Sequence, residues 1–194
     1  GIKAIVIEKP TEPYHVEYAD EEMFRSAAKE LNTLIAGAAK RDPFHNFGTI
    51  STIESAGGNG ILPVDNFSGK LFKDYKKLGV EPFLKNLAER GGCNKRPCQP
   101  GCLVQCSNIY HDKDGNYLTA GFEYETIALF GPNCHIDDLD KIAQMDRMCD
   151  DMGVDTIEMG TACAVAMECG KLEWGDADGV LRLLEEVRQG TGFG

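Results

Sequence analysis

Apolar residues recur with helical spacing along most of the chain. Phe24, Ala27, Ala28, Leu31, Leu34, Ile35 and Ala38 mark one face of a helix. Asp20 is placed to cap it, Glu21 and Glu22 fall in its first turn, and Asp42-Pro43 ends it after about Lys40. A shorter helix is predicted over Thr49–Ala56, stopped by Gly57-Gly58. Two more are predicted over Lys70–Lys77 and Glu81–Glu89, on either side of Gly79. Phe122–Phe130 reads as an apolar helix closed by Gly131-Pro132. Asp137 is the expected cap of the next helix, whose face is Leu139, Ile142, Ala143, Met145, Met148, Cys149 and Met152 and whose end is Gly153. Asp155 and Glu158 form an Asp-x-x-Glu capping pattern for a helix running to about Cys169. A last helix carries Val180, Leu183, Leu184 and Val187. Only Ile2–Ile7 and Tyr14–Tyr18 read as extended. The expected fold is therefore mainly α and multihelical, with at most one or two short strands.

Composition narrows the class. A chain of 194 residues with 42% hydrophobic and 26% charged residues suits a globular fold with a real core. No apolar run reaches the roughly 18 residues of a membrane span, and no membrane partner is expected. The net charge of −11 argues against nucleic acid, whose phosphates it would repel. Eight cysteines without a secretory segment favour a reducing, cytoplasmic compartment and metal chemistry over disulfides. The first residue is glycine and the chain closes on Gly190-Thr-Gly-Phe-Gly194. Both ends read as cut from a longer protein.

The chemistry concentrates in two places. Cys98, Cys102 and Cys106 fall within one loop, opened by Arg96-Pro97 and broken again by Pro100-Gly101. Two three-residue spacers let a turning chain aim three sulfurs at one centre. An iron–sulfur cluster, a structural zinc and three unrelated cysteines all remain open on spacing alone. The second place is Asp150–Thr156, where one helix ends at Gly153 and another begins at Asp155. Carboxylates at such a corner can accept hydrogen bonds from a ligand's ring N–H or amino groups, or can simply cap. Cys149, Cys163 and Cys169 read as small hydrophobes at helical core positions. Cys93 is close enough to substitute as a ligand. His15, His45, His111 and His135 show no ligand spacing.

Four stretches together carry a resemblance. They are Gly1-Ile-Lys-Ala-Ile-Val, Leu62-Pro-Val-Asp-Asn66-Phe67, the cysteine loop with its Ser107-Asn108 exit, and Glu123-Tyr-Glu125-Thr126 followed by Gly131-Pro-Asn133 and Asp150–Thr156. In this order they resemble the middle of the aldehyde:ferredoxin oxidoreductase family of tungsten- or molybdenum-pterin enzymes, a family with a helical C-terminal region. The resemblance implies that residues 1–10 are the tail of a pterin-binding domain and 11–194 a helical domain, with a cluster loop over 91–116 and a pterin corner over 150–156. It implies Cys98, Cys102 and Cys106 as three ligands of a 4Fe–4S cluster. It makes Asp150, Gly153, Val154 and Asp155 contacts to one of two pterins, and Glu125 the acid in the substrate cavity. It further implies a small aldehyde as substrate, ferredoxin or another electron acceptor as partner, and a possible homodimer.

Three departures stand out. The first cysteine spacer is three residues where the commoner family form has two. Val154 replaces the usual Leu, and Gln144-Met-Asp-Arg147 lacks the Glu-x-x-His-type pair that bridges some family dimers through a metal. The alternatives are a zinc-stapled helical interaction module and, within the family, a subunit that reduces an aromatic acyl thioester.

Overall fold

A computed structural model describes residues 5–8, 11–12, 16–69 and 71–192. It divides into two compact units, residues 1–37 and 38–194.

The first unit holds helix α1, Glu21–Gly37. Asp20 caps it as expected, its Oδ1 accepting from the Met23 N–H at 2.8 Å. The apolar face formed as the spacing predicts, and Phe24, Leu31 and Leu34 on it are exposed. Tyr18 stacks on Phe24, with ring centroids 4.4 Å apart. The extended stretches expected over Ile2–Ile7 and Tyr14–Tyr18 lie partly outside the described residues. Their described parts, residues 5–7 and 16–18, are irregular and exposed.

The second unit is mainly helical. In chain order it contains α2 (Arg41–Phe47), α3 (Ser51–Gly58), a 3-10 turn Tyr75–Leu78, α4 (Val80–Arg90), β1 (Cys93–Arg96), β2 (Ser107–His111) and β3 (Tyr117–Ala120). Then follow α5 (Tyr124–Phe130), a 3-10 turn Pro132–Cys134, α6 (Leu139–Met152), α7 (Thr156–Glu168) and α8 (Ala177–Gln189). The unexpected helix is α2. Asp42-Pro43 reads as a breaker, but Pro43 sits in the first turn, where the backbone N–H groups have no intrahelical acceptor to lose. The stretch expected to be helical before Gly79 makes only the short 3-10 turn.

Strands β1 and β2 lie inside the cysteine segment, which reads as loop in sequence, and β3 follows just after it. They form one antiparallel sheet, β1-β2-β3, pairing Cys93 with Ile109, Arg96 with Ser107 and Tyr110 with Thr119. Strand β2 turns Asn108 and Tyr110 inward. Tyr110 packs against Phe83 of α4 and Phe122, with centroids 5.7 and 5.4 Å away. Its hydroxyl donates to Asp140 Oδ1 at 2.8 Å, and Arg90 Nη1 meets the same oxygen at 2.5 Å.

Helix α5 is the centre of the core. Ile127, Ala128, Leu129 and Phe130 are all buried. Burying four such side chains supplies on the order of several kcal/mol. Helix α7 lies across α5 at close range, since a Cβ at Gly160 would stand 2.9 Å from Leu129 backbone and side-chain carbons. The cap of α6 is Asp138, one residue past the expected Asp137: its Oδ1 accepts from Asp140 N–H at 2.9 Å and Lys141 N–H at 3.3 Å. Asp137 instead pairs with Lys77.

Candidate cluster and cofactor site

The cysteine loop is the connection between β1 and β2, so the antiparallel ladder fixes both of its ends. Helix α2 clasps its middle. Arg41 Nε donates to the Leu103 carbonyl at 3.2 Å, and His45 Nδ1 lies 3.0 Å from the Val104 carbonyl. Asn94 donates back to the Asn46 carbonyl at 2.8 Å. Just beyond α2, Gly48 has φ +76, and a Cβ there would stand 2.8 Å from the Cys106 carbonyl oxygen. Only glycine allows that approach. These contacts were invisible in the sequence because α2 itself was not expected. His45 carried no spacing signal, and its role is to hold a loop carbonyl.

The three thiols differ in environment. Cys98 is exposed, and Cys102 and Cys106 are half-buried. The Cys102 sulfur accepts from the Gln105 N–H at 3.4 Å. That bond, with the Val104 N–H and the Cys98 thiol, holds Cys102 below the ordinary thiol range. Gln105 reaches this position with φ +54. Burial pushes Cys106 up, helped by the charge of Glu123. A single zinc needs its ligands to meet around one ion. No three His, Cys, Asp or Glu side chains among the described residues do so. A four-iron cluster instead takes each thiolate on a different iron, and N–H groups on the sulfurs tune its potential. Three thiols and an N–H on sulfur are donor types that such a cluster takes. Cys93 lies on β1, half-buried.

Helix α5 begins beside this loop. Thr49 Oγ1 donates to Glu123 Oε2 at 3.3 Å and accepts from the Tyr124 N–H at 3.0 Å. Burial raises the proton affinity of Glu123 against the pull of that hydroxyl, and the charges of Glu125 and Asp146 add to the rise. Glu125, which the resemblance makes the acid of the substrate cavity, is exposed. Glu125 stands on the open first turn of α5, while residues 126–130 after it are buried and Glu123 before the helix is half-buried.

The corner formed as the sequence predicts. Gly153 closes α6 with φ +71, its N–H bonding the Asp150 carbonyl, while the Val154 N–H bonds the Cys149 carbonyl at 3.0 Å. Asp155 caps α7, its Oδ1 accepting from the Glu158 N–H at 2.9 Å. Asp150, Gly153 and Asp155 are exposed and Val154 is half-buried. A cleft of about 760 Å³ adjoins the corner, lined by Met148, Met152 and Val154 on one side and Glu185 and Arg188 on the other. The corner also touches α5 directly, with the Thr126 and Thr156 hydroxyls 2.8 Å apart.

The sequence pattern of aldehyde ferredoxin oxidoreductase, domains 2 & 3, matches residues 26–194. The chain belongs to the aldehyde ferredoxin oxidoreductase family. It is 27% identical, over its whole length, to a tungsten-containing aldehyde ferredoxin oxidoreductase of Pyrococcus furiosus, of which it covers 33%. It is 30% identical, over 86% of its length, to the corresponding Thermococcus kodakarensis protein, of which it covers 26%. It is also similar, at 25% identity over 97% of its length, to the WOR-like subunit of a P. furiosus aliphatic sulfonate oxidoreductase, of which it covers 31%. The chain thus spans about a quarter to a third of the relatives it matches.

Other members of the resemblance landed elsewhere in the unit. Asp65, Asn66 and Phe67 form a left-handed turn, with φ of 45, 52 and 59. Their N–H groups bond the Pro132 carbonyl, the Asn133 carbonyl and Asn133 Oδ1. The segment therefore docks on the turn that ends α5. Asp65 also meets His135 Nδ1 at 2.7 Å. Cys149 and Cys163 are buried as expected, whereas Cys169 is exposed at the end of α7.

Proposed function

We propose that this chain forms the cluster-bearing and part of the pterin-binding portion of an oxidoreductase that converts aldehydes to carboxylic acids. The observation that carries this is one run of contacts. It leads from Cys106 through Gly48-Thr49 to Glu123 and Tyr124, and from Thr126 to Thr156 at the corner. Residues 1–10 then belong to a preceding pterin-binding domain.

The overall reaction adds water to the aldehyde and releases a carboxylic acid, two protons and two electrons. A tungsten- or molybdenum-pterin would supply the two-electron chemistry when bound, and a 4Fe–4S cluster beside it would supply electron transfer, with ferredoxin as the expected acceptor. In this reading Cys98, Cys102 and Cys106 would hold three irons, and the backbone donors on Cys102 would moderate its negative charge. Asp150, Gly153, Val154 and Asp155 hold the pterin edge. Asp155 has only one oxygen committed to its cap at Glu158, which leaves the other to accept from a ligand. Glu125 projects outward from the first turn of α5 and moves a proton to or from its own carboxylate oxygen. The neighbouring Glu123 is tied to Thr49 and positions the turn.

The test uses the full-length enzyme. Glu125→Gln is expected to keep metal and pterin while kcat falls by about 100- to 10,000-fold. Asp155→Ala is expected to lose bound metal and pterin. Full kcat in Glu125→Gln with normal cofactor content removes its catalytic role. A full pterin load in Asp155→Ala reduces that residue to a helix cap.

A further inference from the structure

One buried carboxylate has no part in that reading. Asp146 lies in the middle of α6 and is 4% exposed. The Thr119 hydroxyl on β3 donates to its Oδ2 at 2.6 Å. The Thr126 hydroxyl on α5 donates to its Oδ1 at 3.1 Å. Thr126 has one proton, and an ionised carboxylate requires it. The Thr156 hydroxyl, 2.8 Å from Thr126, must therefore donate to Thr126. A directed chain runs from Thr156 to Thr126 to Asp146, and a second bond arrives from Thr119.

The placement of the two threonines gives this chain its meaning. Thr126 follows Glu125 in sequence, and Thr156 follows Asp155. Asp146 itself stands one helical turn before Asp150. Helix α5 has only seven residues, so the rotation of its first turn depends on what its side chains grip. Fixing Thr126 inward fixes Glu125 outward. Fixing Thr156 holds the first residue of α7, and with it the direction of Asp155.

We propose that Asp146 is a positioning residue, which through Thr126 and Thr156 holds Glu125 and Asp155 in register with one another. The proposal rests on the preceding reading for what those two carboxylates do. The register itself is a property of this chain. Burial also makes Asp146 hold a proton more tightly than an ordinary carboxyl, with the Asp150 charge adding and Arg147 opposing. A buried group under that pressure is a poor choice for packing alone.

The test separates hydroxyl from shape. Thr126→Val keeps the branched side chain and removes the hydroxyl, while Thr126→Ser does the reverse. In this chain, amide hydrogen exchange at Met159 and Gly160 in the first turns of α7 is expected to quicken about fivefold in Thr126→Val, the effect of one lost hydrogen bond. It should stay within about twofold of wild type in Thr126→Ser. Thr156→Val, at a half-buried position whose loss cannot unfold the core, is expected to give the same quickening. In the full-length holoenzyme, Thr126→Val should lower kcat about tenfold or more with KM unchanged, as misplacement of a reacting group does, and Thr126→Ser should restore it. Unchanged exchange in both valine variants, or a serine variant as impaired as the valine one, overturns the proposal in favour of packing. Altered exchange with normal kcat overturns the positioning role, and the functional reading then stands if Glu125→Gln still lowers kcat. If Glu125→Gln and Asp155→Ala are both silent, the functional reading itself has failed.

Discussion

Replacing Asp146 by Asn should make the protein more stable at neutral pH. Burial lifts the Asp146 carboxyl from its ordinary 3.8 to about 6, against the pull of the Thr119 and Thr126 hydroxyls and with Asp150 adding to the rise. A rise of that size is worth about 3 kcal/mol. Its sign follows from proton counting. Between the two values the folded state binds the proton and the unfolded chain does not. Stability from this group is therefore complete below about pH 4 and is lost as pH climbs through about 6. Asparagine has the same shape, cannot ionise, and can still donate to one threonine and accept from the other. Asp146→Asn should thus match the wild type near pH 4 and exceed it by about 2–3 kcal/mol above pH 7. Urea unfolding of both proteins at one-unit intervals from pH 4 to pH 8 measures this directly. The difference between the curves isolates Asp146 from groups of opposite sign. Asp140 is one: burial opposes its ionisation, but Arg90 and Tyr110 prevail and hold it low, so its contribution is lost as pH falls. A wild type more stable than Asp146→Asn at pH 7, or a difference that does not vary with pH, refutes the argument.

Other outcomes follow from single contacts. Gly160→Ala drives a methyl to within 2.9 Å of Leu129 and should cost about 1–3 kcal/mol, seen as a fall in Tm. Asp155→Ala should cost about 1 kcal/mol through the lost cap at Glu158, whereas Asp155→Ser should cost only a few tenths. In the metal-free chain at pH 7, Cys102 should react with iodoacetamide faster than Cys106, because backbone donors lower the one and burial raises the other. His45→Ala and Arg41→Ala should each free the loop and quicken labelling of Cys106 severalfold, read by mass spectrometry of the alkylated peptides.

The helices were legible where capping and apolar spacing agree. α1, α3, α4, α6, α7 and α8 all lie within a few residues of their predicted spans, and the Gly153–Asp155 corner has the expected stop and cap. The failures have physical causes. The strands were missed because Cys93–Arg96 and Tyr117–Ala120 are too short for a period to register. Their pairing comes from β2 and the aromatic cluster behind it, a tertiary effect. Helix α2 was missed because a proline was read as a stop where it begins a turn. At the site, the residue types were readable and their environments were not. The resemblance pointed to Glu125 as the cavity acid, and this residue is exposed. Burial falls instead on Glu123, just before the helix. Asp146 gave no signal at all, since a carboxylate inside an apolar helical face looks like an ordinary polar interruption until its two threonines are in place.

The costs in this fold are not spread evenly. The left-handed turn at Asp65–Phe67 places three non-glycine residues where each loses about 1–2 kcal/mol, and it docks on the turn that closes α5. Two buried side-chain atoms have no protein partner among the described residues, Asn108 Oδ1 and Asn133 Nδ2. Asn108 donates its other end to the Phe122 carbonyl at 2.8 Å, just before α5, and Asn133 lies just after it. Asp146 is buried against the first turn of the same helix. Each orphaned atom costs about 1–3 kcal/mol. A seven-residue helix thus has an orphaned polar atom near its start, another near its end, and a desolvated carboxylate at its side. Their common neighbour is the helix that follows Glu123 and bears Glu125, linked to the cysteine loop through Gly48-Thr49 and to the α6–α7 corner through Thr126. These costs converge on one short helix, and the buried apolar residues of that helix offset them.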